Sequence, residues 1–261
     1  MAREVTFRGI DSPPEILDWS IFDAQEKAEN KQGQHRLFVG PTQSGKTTLA
    51  RMLARHRKAV IVLGTKPVDK SLDAYIIEGY KRIEAWPPTK KEIQEATLKD
   101  GSVRLLLWPK MTKREDLRKH RDHYLRCMEQ VFVEGRWTLV ADEGLWLASR
   151  RGLDLDGVLA DIAYGAASNL VSLYLCIQRP AGLSRVTWSS VTDAYVFHLG
   201  VTNDVRELAS LGTHDPTEAK RVVQGNLTNR QFLKLPCRGG AVWTISEVDA
   251  GAARPVRLDT L

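Results

Sequence analysis

The chain has 261 residues, 43% of them hydrophobic and 27% charged, ordinary proportions for one large α/β domain or two small ones. A net charge of +6 permits a polyanionic partner without requiring one. The three cysteines, Cys127, Cys176 and Cys237, are widely spaced and form no CxxC pair, which argues against a disulfide framework or a zinc site and fits a reducing compartment.

In chain order, residues 1–34 are mixed and polar, with Pro13-Pro14 and scattered acidic residues. Ile16, Leu17, Trp19, Ile21 and Phe22 give this N-terminal arm the means to pack onto a core. The start, Met1-Ala2-Arg3-Glu4, lacks the apolar core of a signal peptide, and no apolar run reaches bilayer length, so the expectation is a cytoplasmic protein with no membrane partner. Arg36-Leu37-Phe38-Val39 reads as a short buried strand, and Thr47 to Arg57 as a helix with Leu49, Met52 and Leu53 on one face. Ala59 to Leu63 is a second strand, β-branched and continuous, as in a strand buried on both faces. Pro87-Pro88 marks a break, and Val103 to Trp108 is a third strand. Thr112 to Glu134 is predicted as one long helix on the spacing of Leu117, Tyr124, Leu125, Met128, Val131 and Phe132.

Thr138 to Ala141 is a strand, Leu155 to Ala167 a helix, and Val171 to Ile177 a strand. Ala194 to Leu199 is another strand, followed by a helix from Asn203 to Leu211 and a last strand from Ala241 to Ile245. Residues 247–261 are small and polar, and read as a mobile tail. Strands alternating with helices predict one doubly wound α/β domain over 35–246, with a mostly parallel sheet flanked by helices.

Between the first strand and its helix stands Gly40-Pro41-Thr42-Gln43-Ser44-Gly45-Lys46-Thr47, the GxxxxGKT pattern of a phosphate-binding loop. Its glycines permit a tight turn that aims successive N–H groups at one phosphate, and the helix start adds partial positive charge. The cradle extends through Thr48. Lys46 reaches the β- and γ-phosphates of a nucleotide, and the Thr47 hydroxyl can ligate Mg²⁺.

Leu139-Val140-Ala141-Asp142-Glu143 is an apolar strand ending in two carboxylates. At the carboxyl end of a parallel strand, Asp142 can hold Mg²⁺ and Glu143 can take a proton from an attacking water. A small-molecule kinase has no need of a water-activating glutamate, whereas a hydrolytic motor does. Leu173 to Ile177 then delivers Gln178 at a strand end. If that strand lies beside the Asp142-Glu143 strand, the Gln178 amide can touch both the lytic water and the γ-phosphate.

The phosphate loop, the Asp142-Glu143 strand and the strand ending Gln178-Arg179-Pro180, in that order, resemble the FtsK/HerA superfamily of P-loop ATPases, over about His35 to Leu211. The segments 189–198 and 204–212 are similar to the family's following loop, strand and helix. The resemblance implies a RecA-like (ASCE) domain that binds ATP and Mg²⁺. Lys46 would hold phosphate, Thr47 and Asp142 the Mg²⁺, Glu143 would be the base and Gln178 the γ-phosphate sensor. It also implies a ring, hexamer-like, that pumps double-stranded DNA without regard to sequence, as in viral packaging or mobile-element transfer. Many members carry an arginine on the helix before the glutamine strand, reaching the neighbouring subunit's nucleotide. Here that stretch, Ala163 to Asn169, has none, which leaves Arg150, Arg151, Arg179, Arg185 or Arg36 as candidates.

Other features admit plainer readings. The basic start of the 112–134 helix, with Lys113, Arg114, Arg118, Lys119 and Arg121, is more commonly a solvated face than a DNA path. His198 reads as a satisfied core residue, and Arg238-Gly239-Gly240 as a hairpin turn. Trp146, three residues past Glu143, is the tryptophan nearest the chemistry. The competing function is a nucleotide-dependent switch or assembly ATPase acting on a protein partner.

Overall fold

The computed structural model describes residues 13–113, 116–179, 183–200, 204, 207–208, 215–237 and 243–258. From the N-terminus, β1 (Glu15–Ile16) and α1 (Trp19–Ala28) lead into β2 (His35–Val39) and α2 (Lys46–Ala54). β3 (Ala59–Leu63), α3 (Lys70–Ile77), β4 (Lys81–Ile83), α4 (Lys90–Ala96) and β5 (Val103–Leu107) follow. Then come α5 (Asp116–Lys119), α6 (Arg121–Glu134), β6 (Thr138–Ala141), α7 (Gly144–Ala148), α8 (Asp156–Asn169) and β7 (Ser172–Ile177). α9 (Arg185–Ser189), β8 (Val191–Phe197), α10 (Pro216–Arg221), a π-helical turn (Val222–Asn226), β9 (Gln231–Pro236) and β10 (Thr244–Glu247) complete the order.

The ten strands form one sheet in the order β1-β10-β9-β8-β2-β7-β6-β3-β5-β4. From β8 to β4 every pairing is parallel. β9 runs antiparallel to both β8 and β10. The parallel strands are the apolar runs of the sequence: Leu37-Phe38-Val39, Val60 to Leu63, Leu105 to Leu107, Leu139 to Ala141 and Leu173 to Ile177 are all buried. Helices on both faces leave such strands no solvated side, so alternation with polar residues is absent.

The sequence expectations need four adjustments here. The basic 112–134 segment is two helices, broken at His120. Thr112 and Lys113 turn back onto Asp116, whose Oδ2 accepts both backbone N–H groups at 2.9 and 3.1 Å, and the described helix begins at Asp116. The N-terminal arm joins the sheet: β1 pairs with β10, and α1 buries Phe22 and Glu26. The expected mobile tail is packed as far as Leu258, with Val248 buried beside the phosphate loop. β9, α3, α7, α9 and α10 had no expectation attached, and the predicted 203–211 helix lies largely outside the described residues.

Arg36 is the fourth. Its guanidinium is buried against the rings of Tyr174 and Tyr195, 5.4 and 5.9 Å from their centroids, and pairs with Glu26 at 2.8 Å. Glu26 also receives Lys234 at 2.7 Å and the Tyr195 hydroxyl at 2.9 Å. A group enclosed in this way cannot reach a neighbouring subunit, which removes Arg36 from the finger candidates. Burial alone would raise the Glu26 carboxyl, but Arg36 and Lys234 outweigh it and hold the pKa below its ordinary 4.5. Stability from this group is therefore complete above that value and lost as the pH falls through the lower folded one. Arg36→Ala leaves Glu26 short of a buried partner and is expected to cost about 3–5 kcal/mol in denaturant unfolding. A loss under 1 kcal/mol would show that the cluster contributes nothing to stability.

Candidate functional site

The phosphate loop follows β2 and ends at the first turn of α2. Gly45, the residue before the helix, has φ +108°, a conformation that L side chains rarely adopt. At Gly40 an added Cβ would stand 2.7 Å from Phe197 Cβ, so the loop can leave the sheet there only without a side chain. Lys46 folds back over the loop, its Nζ donating to the Pro41 carbonyl at 2.6 Å. Burial presses its pKa below the ordinary lysine value, against the pull of nearby negative charge that includes Asp142 and Glu143. A partly desolvated ammonium over a glycine-containing loop at a helix start is arranged for an anion.

β6 brings the two carboxylates to the same edge. The Thr47 hydroxyl donates to Asp142 Oδ1. Burial raises the Asp142 carboxyl above its ordinary value. A hydroxyl and a carboxylate in contact, both oxygen donors, suit Mg²⁺, which is usually shared with phosphate oxygens and not caged by protein. Among the described residues no three His, Cys, Asp or Glu side chains gather as a metal cage. Glu143 immediately precedes α7, and its side chain is one-quarter exposed toward the cleft.

Lys66 was missed by the sequence reading. It lies two residues beyond Gly64, on the loop after β3, and its Nζ stands 2.8 Å from Glu143 Oε1 and 3.3 Å from both Asp142 Oδ2 and Asp69 Oδ2. Its backbone is pinned by Trp108, whose indole N–H donates to the Lys66 carbonyl at 2.7 Å. Burial opposes its charge, but the bond to Glu143 and the neighbouring carboxylates outweigh burial and raise its pKa. The signal in the sequence was a lysine just past an apolar strand, indistinguishable there from a solvated loop residue.

β7 lies between β2 and β6, parallel to both. Val39 pairs with Ile177, and Ala141 with Leu175, so the phosphate loop, Gln178 and the Asp142-Glu143 pair emerge at one edge of the sheet. All three line a cleft of about 550 Å³ with Lys66, Asp69, Arg230 and the residues after β10. That volume suits a nucleotide-sized ligand.

No protein-family model and no curated protein sequence matches the chain. Solved structures do. The genome packaging NTPase B204 from Sulfolobus turreted icosahedral virus 2, in complex with sulfate, is similar at 15% identity and TM-score 0.56, over 83% of this chain and 96% of that one. B204 of Sulfolobus turreted icosahedral virus, described as a DNA-packaging ATPase, gives 16% identity and TM-score 0.55, over 82% and 97%. ATPases 2 and 3 of EssC from Geobacillus thermodenitrificans give 10% identity and TM-score 0.50, over 85% and 42%. The chain shares the fold of these NTPases.

Within this fold the remaining candidates separate. Arg150, Arg151, Arg179 and Arg185 are exposed, with Arg179 4.0 Å from Asp204. Lys113 is exposed, and Arg114 lies outside the described residues. Arg118, itself exposed, donates to the Arg151 carbonyl at 3.4 Å, while Arg121 donates to that of Leu153 at 2.8 Å. His198 is exposed beside the loop residues Pro41 and Gln43, and so is not the core histidine expected. Trp146 is half-buried against the core. Arg238-Gly239-Gly240 lies outside the described residues.

One ammonium shared by three carboxylates makes a further expectation. Lys66→Ala should lower the melting temperature without divalent cation, and added Mg²⁺ should raise it by more than in the wild type. Equal melting temperatures with and without Mg²⁺ in both proteins would show that Lys66 balances no charge here.

Proposed function

We propose that this protein is an ATP-hydrolysing motor that moves double-stranded DNA, working as a ring. The observation that carries the hydrolytic part is the common edge of β2, β6 and β7, which brings Lys46, Thr47, Asp142, Glu143 and Gln178 to one cleft. The B204 structures with ATP-gammaS and AMPPCP support a nucleotide in a cleft of this fold.

In this reading the loop N–H groups and Lys46 bind the triphosphate, and Thr47 and Asp142 hold Mg²⁺ with it. Bound there, Mg²⁺ would supply charge neutralisation for the phosphates. Glu143 takes the proton of the attacking water, which requires it to leave Lys66. Gln178 orients that water and registers the γ-phosphate. Glu143→Gln keeps the shape and removes the base. It is expected to bind ATP as the wild type does and to lose about 10²–10⁴-fold in turnover. Wild-type turnover in this variant would remove Glu143 from the mechanism.

The DNA part rests on the net charge of +6, on the exposed basic residues of the α5 region, and on the genome-packaging role of B204. The competing reading, a nucleotide-dependent switch acting on a protein partner, shares every residue above. Duplex DNA separates them: the motor's ATPase should rise with DNA of any sequence. Binding should weaken steeply with salt, as expected when phosphate contacts dominate. Charge reversal at Lys113, Arg114 and Arg118 should reduce both. No stimulation of the assembled protein at low salt would favour the switch.

Ring assembly is tested by pairing variants. An Arg150, Arg151, Arg179 or Arg185→Ala variant that lacks a trans-acting group should regain activity when mixed with Glu143→Gln. A monomer in ATP, with no recovery in any mixture, would overturn the ring.

A further inference from the structure

After β10 the chain turns back along α2. The Val248 N–H donates to the Arg230 carbonyl at 3.1 Å, and Val248 itself is 3% exposed. A tight turn follows: Asp249 accepts the Ala252 N–H on its side chain at 2.6 Å and the Ala253 N–H on its carbonyl at 2.9 Å. Two arginines of the α2 region clamp this turn by its backbone. Arg55 donates to the carbonyls of Ala252 at 3.1 Å and Arg254 at 3.2 Å, and Arg51 donates to that of Ala253. Both arginines pair with Glu78, whose side chain is fully buried. The Leu258 N–H closes the segment onto the Glu78 carbonyl at 3.3 Å. The strap is thus fixed to the same helix whose first turn carries Lys46 and Thr47.

Its position along the cleft is specific. A Cβ at Gly45 would lie 3.6 Å from Val248 Cγ2, so the strap starts directly beside the phosphate loop. The side chains from α2, from the β3–α3 loop and from the ends of β6 and β7 that line the cleft are all polar or charged. Its apolar side chains, Val248, Ala250, Ala253 and Pro255, all come from the strap, which adds the Arg254 guanidinium. A nucleoside triphosphate has the same division: a charged chain, and a flat heterocycle that gains by leaving water. With the phosphates on the loop, the apolar surface within reach is the strap, and a guanidinium beside it can stack on a ring face.

We propose that residues 248–255 form the nucleoside wall of the site, taking the base and ribose of a nucleoside triphosphate whose phosphates occupy the loop. This rests on the phosphate-loop reading and adds to it the part of the ligand that the loop does not hold. The segment supplies burial and stacking, so it discriminates nucleoside from bare polyphosphate.

The test compares ATP with inorganic tripolyphosphate, by calorimetric titration of the full-length protein with Mg²⁺. Ala253→Trp fills the wall while leaving the backbone bonds to Arg51 and Asp249 available, and Arg254→Ala removes the stacking group. Thermal melts confirm that each variant is folded. Ala253→Trp should weaken ATP at least about tenfold and Arg254→Ala severalfold, with tripolyphosphate affinity unchanged in both. Unchanged ATP affinity in both variants would overturn the proposal. Equal weakening of ATP and tripolyphosphate would overturn it as well, since the strap would then be supporting the loop and not the nucleoside. Wild-type protein that binds neither ligand would instead overturn the phosphate-loop reading itself.

Discussion

β7 hydrogen-bonds to β2 on one side and β6 on the other, and all three run the same way. Parallel pairing fixes more than neighbourhood. It holds the strand ends at a common level, because the bonds are evenly spaced and a one-residue slip would turn every side chain to the other face. The Gly40 N–H donates to the Ile177 carbonyl at 3.2 Å, so the ladder continues to the first residue of the phosphate loop. Gln178 is the next residue along β7 and enters the cleft from there. The arrangement of anion cradle, acid pair and amide is therefore a property of sheet register, with each group carried on a rigid strand.

Charge in the cleft is nearly balanced, and the balance depends on burial. Asp69, Asp142 and Glu143 share the cleft with Lys46, Lys66, Arg230 and Arg254. Desolvation raises Asp142 and lowers Lys46, so each is pushed toward its neutral form. Lys66 is pushed the other way because it meets three carboxylates at once. A bound triphosphate with its cation would change every one of these contacts. Lys66 is the group with the most to exchange, since its attachments include Asp142 and Glu143, the two carboxylates to which the proposed function assigns the metal and the water.

Helix α2 joins two segments of the cleft through its two ends. Its N-terminus meets the loop, and its far end, with Arg51 and Arg55, holds the segment after β10. Glu78 orients both arginines from the end of α3. Leu49, Ala50, Met52, Leu53 and Ala54 bury the opposite side of the helix in the core. The helix therefore cannot shift without moving both the loop and the strap.

The sequence by itself determined the parallel core and where along it most of the candidate residues stand. Continuous apolar runs such as Ala59 to Leu63 declare strands covered on both faces, and a GxxxxGKT turn has few other uses. Asp142, Glu143 and Gln178 were legible because each directly follows such a run, where a parallel strand must open onto its ligand edge. The breaks in the basic helix were not legible, since Asp116 capping Thr112 and Lys113 competes with a pattern that still has helical spacing. What only the tertiary structure decided was which distant segments meet. Arg36 looked available beside the loop, and folding buried it against Glu26, ten residues earlier in the chain. Lys66 looked like a loop residue, and folding set it among three carboxylates. Residues 248–258 looked like a tail because small polar residues carry no periodic signal. Their order comes from backbone carbonyls that accept arginines about two hundred positions away in the chain, a contact that no local pattern records.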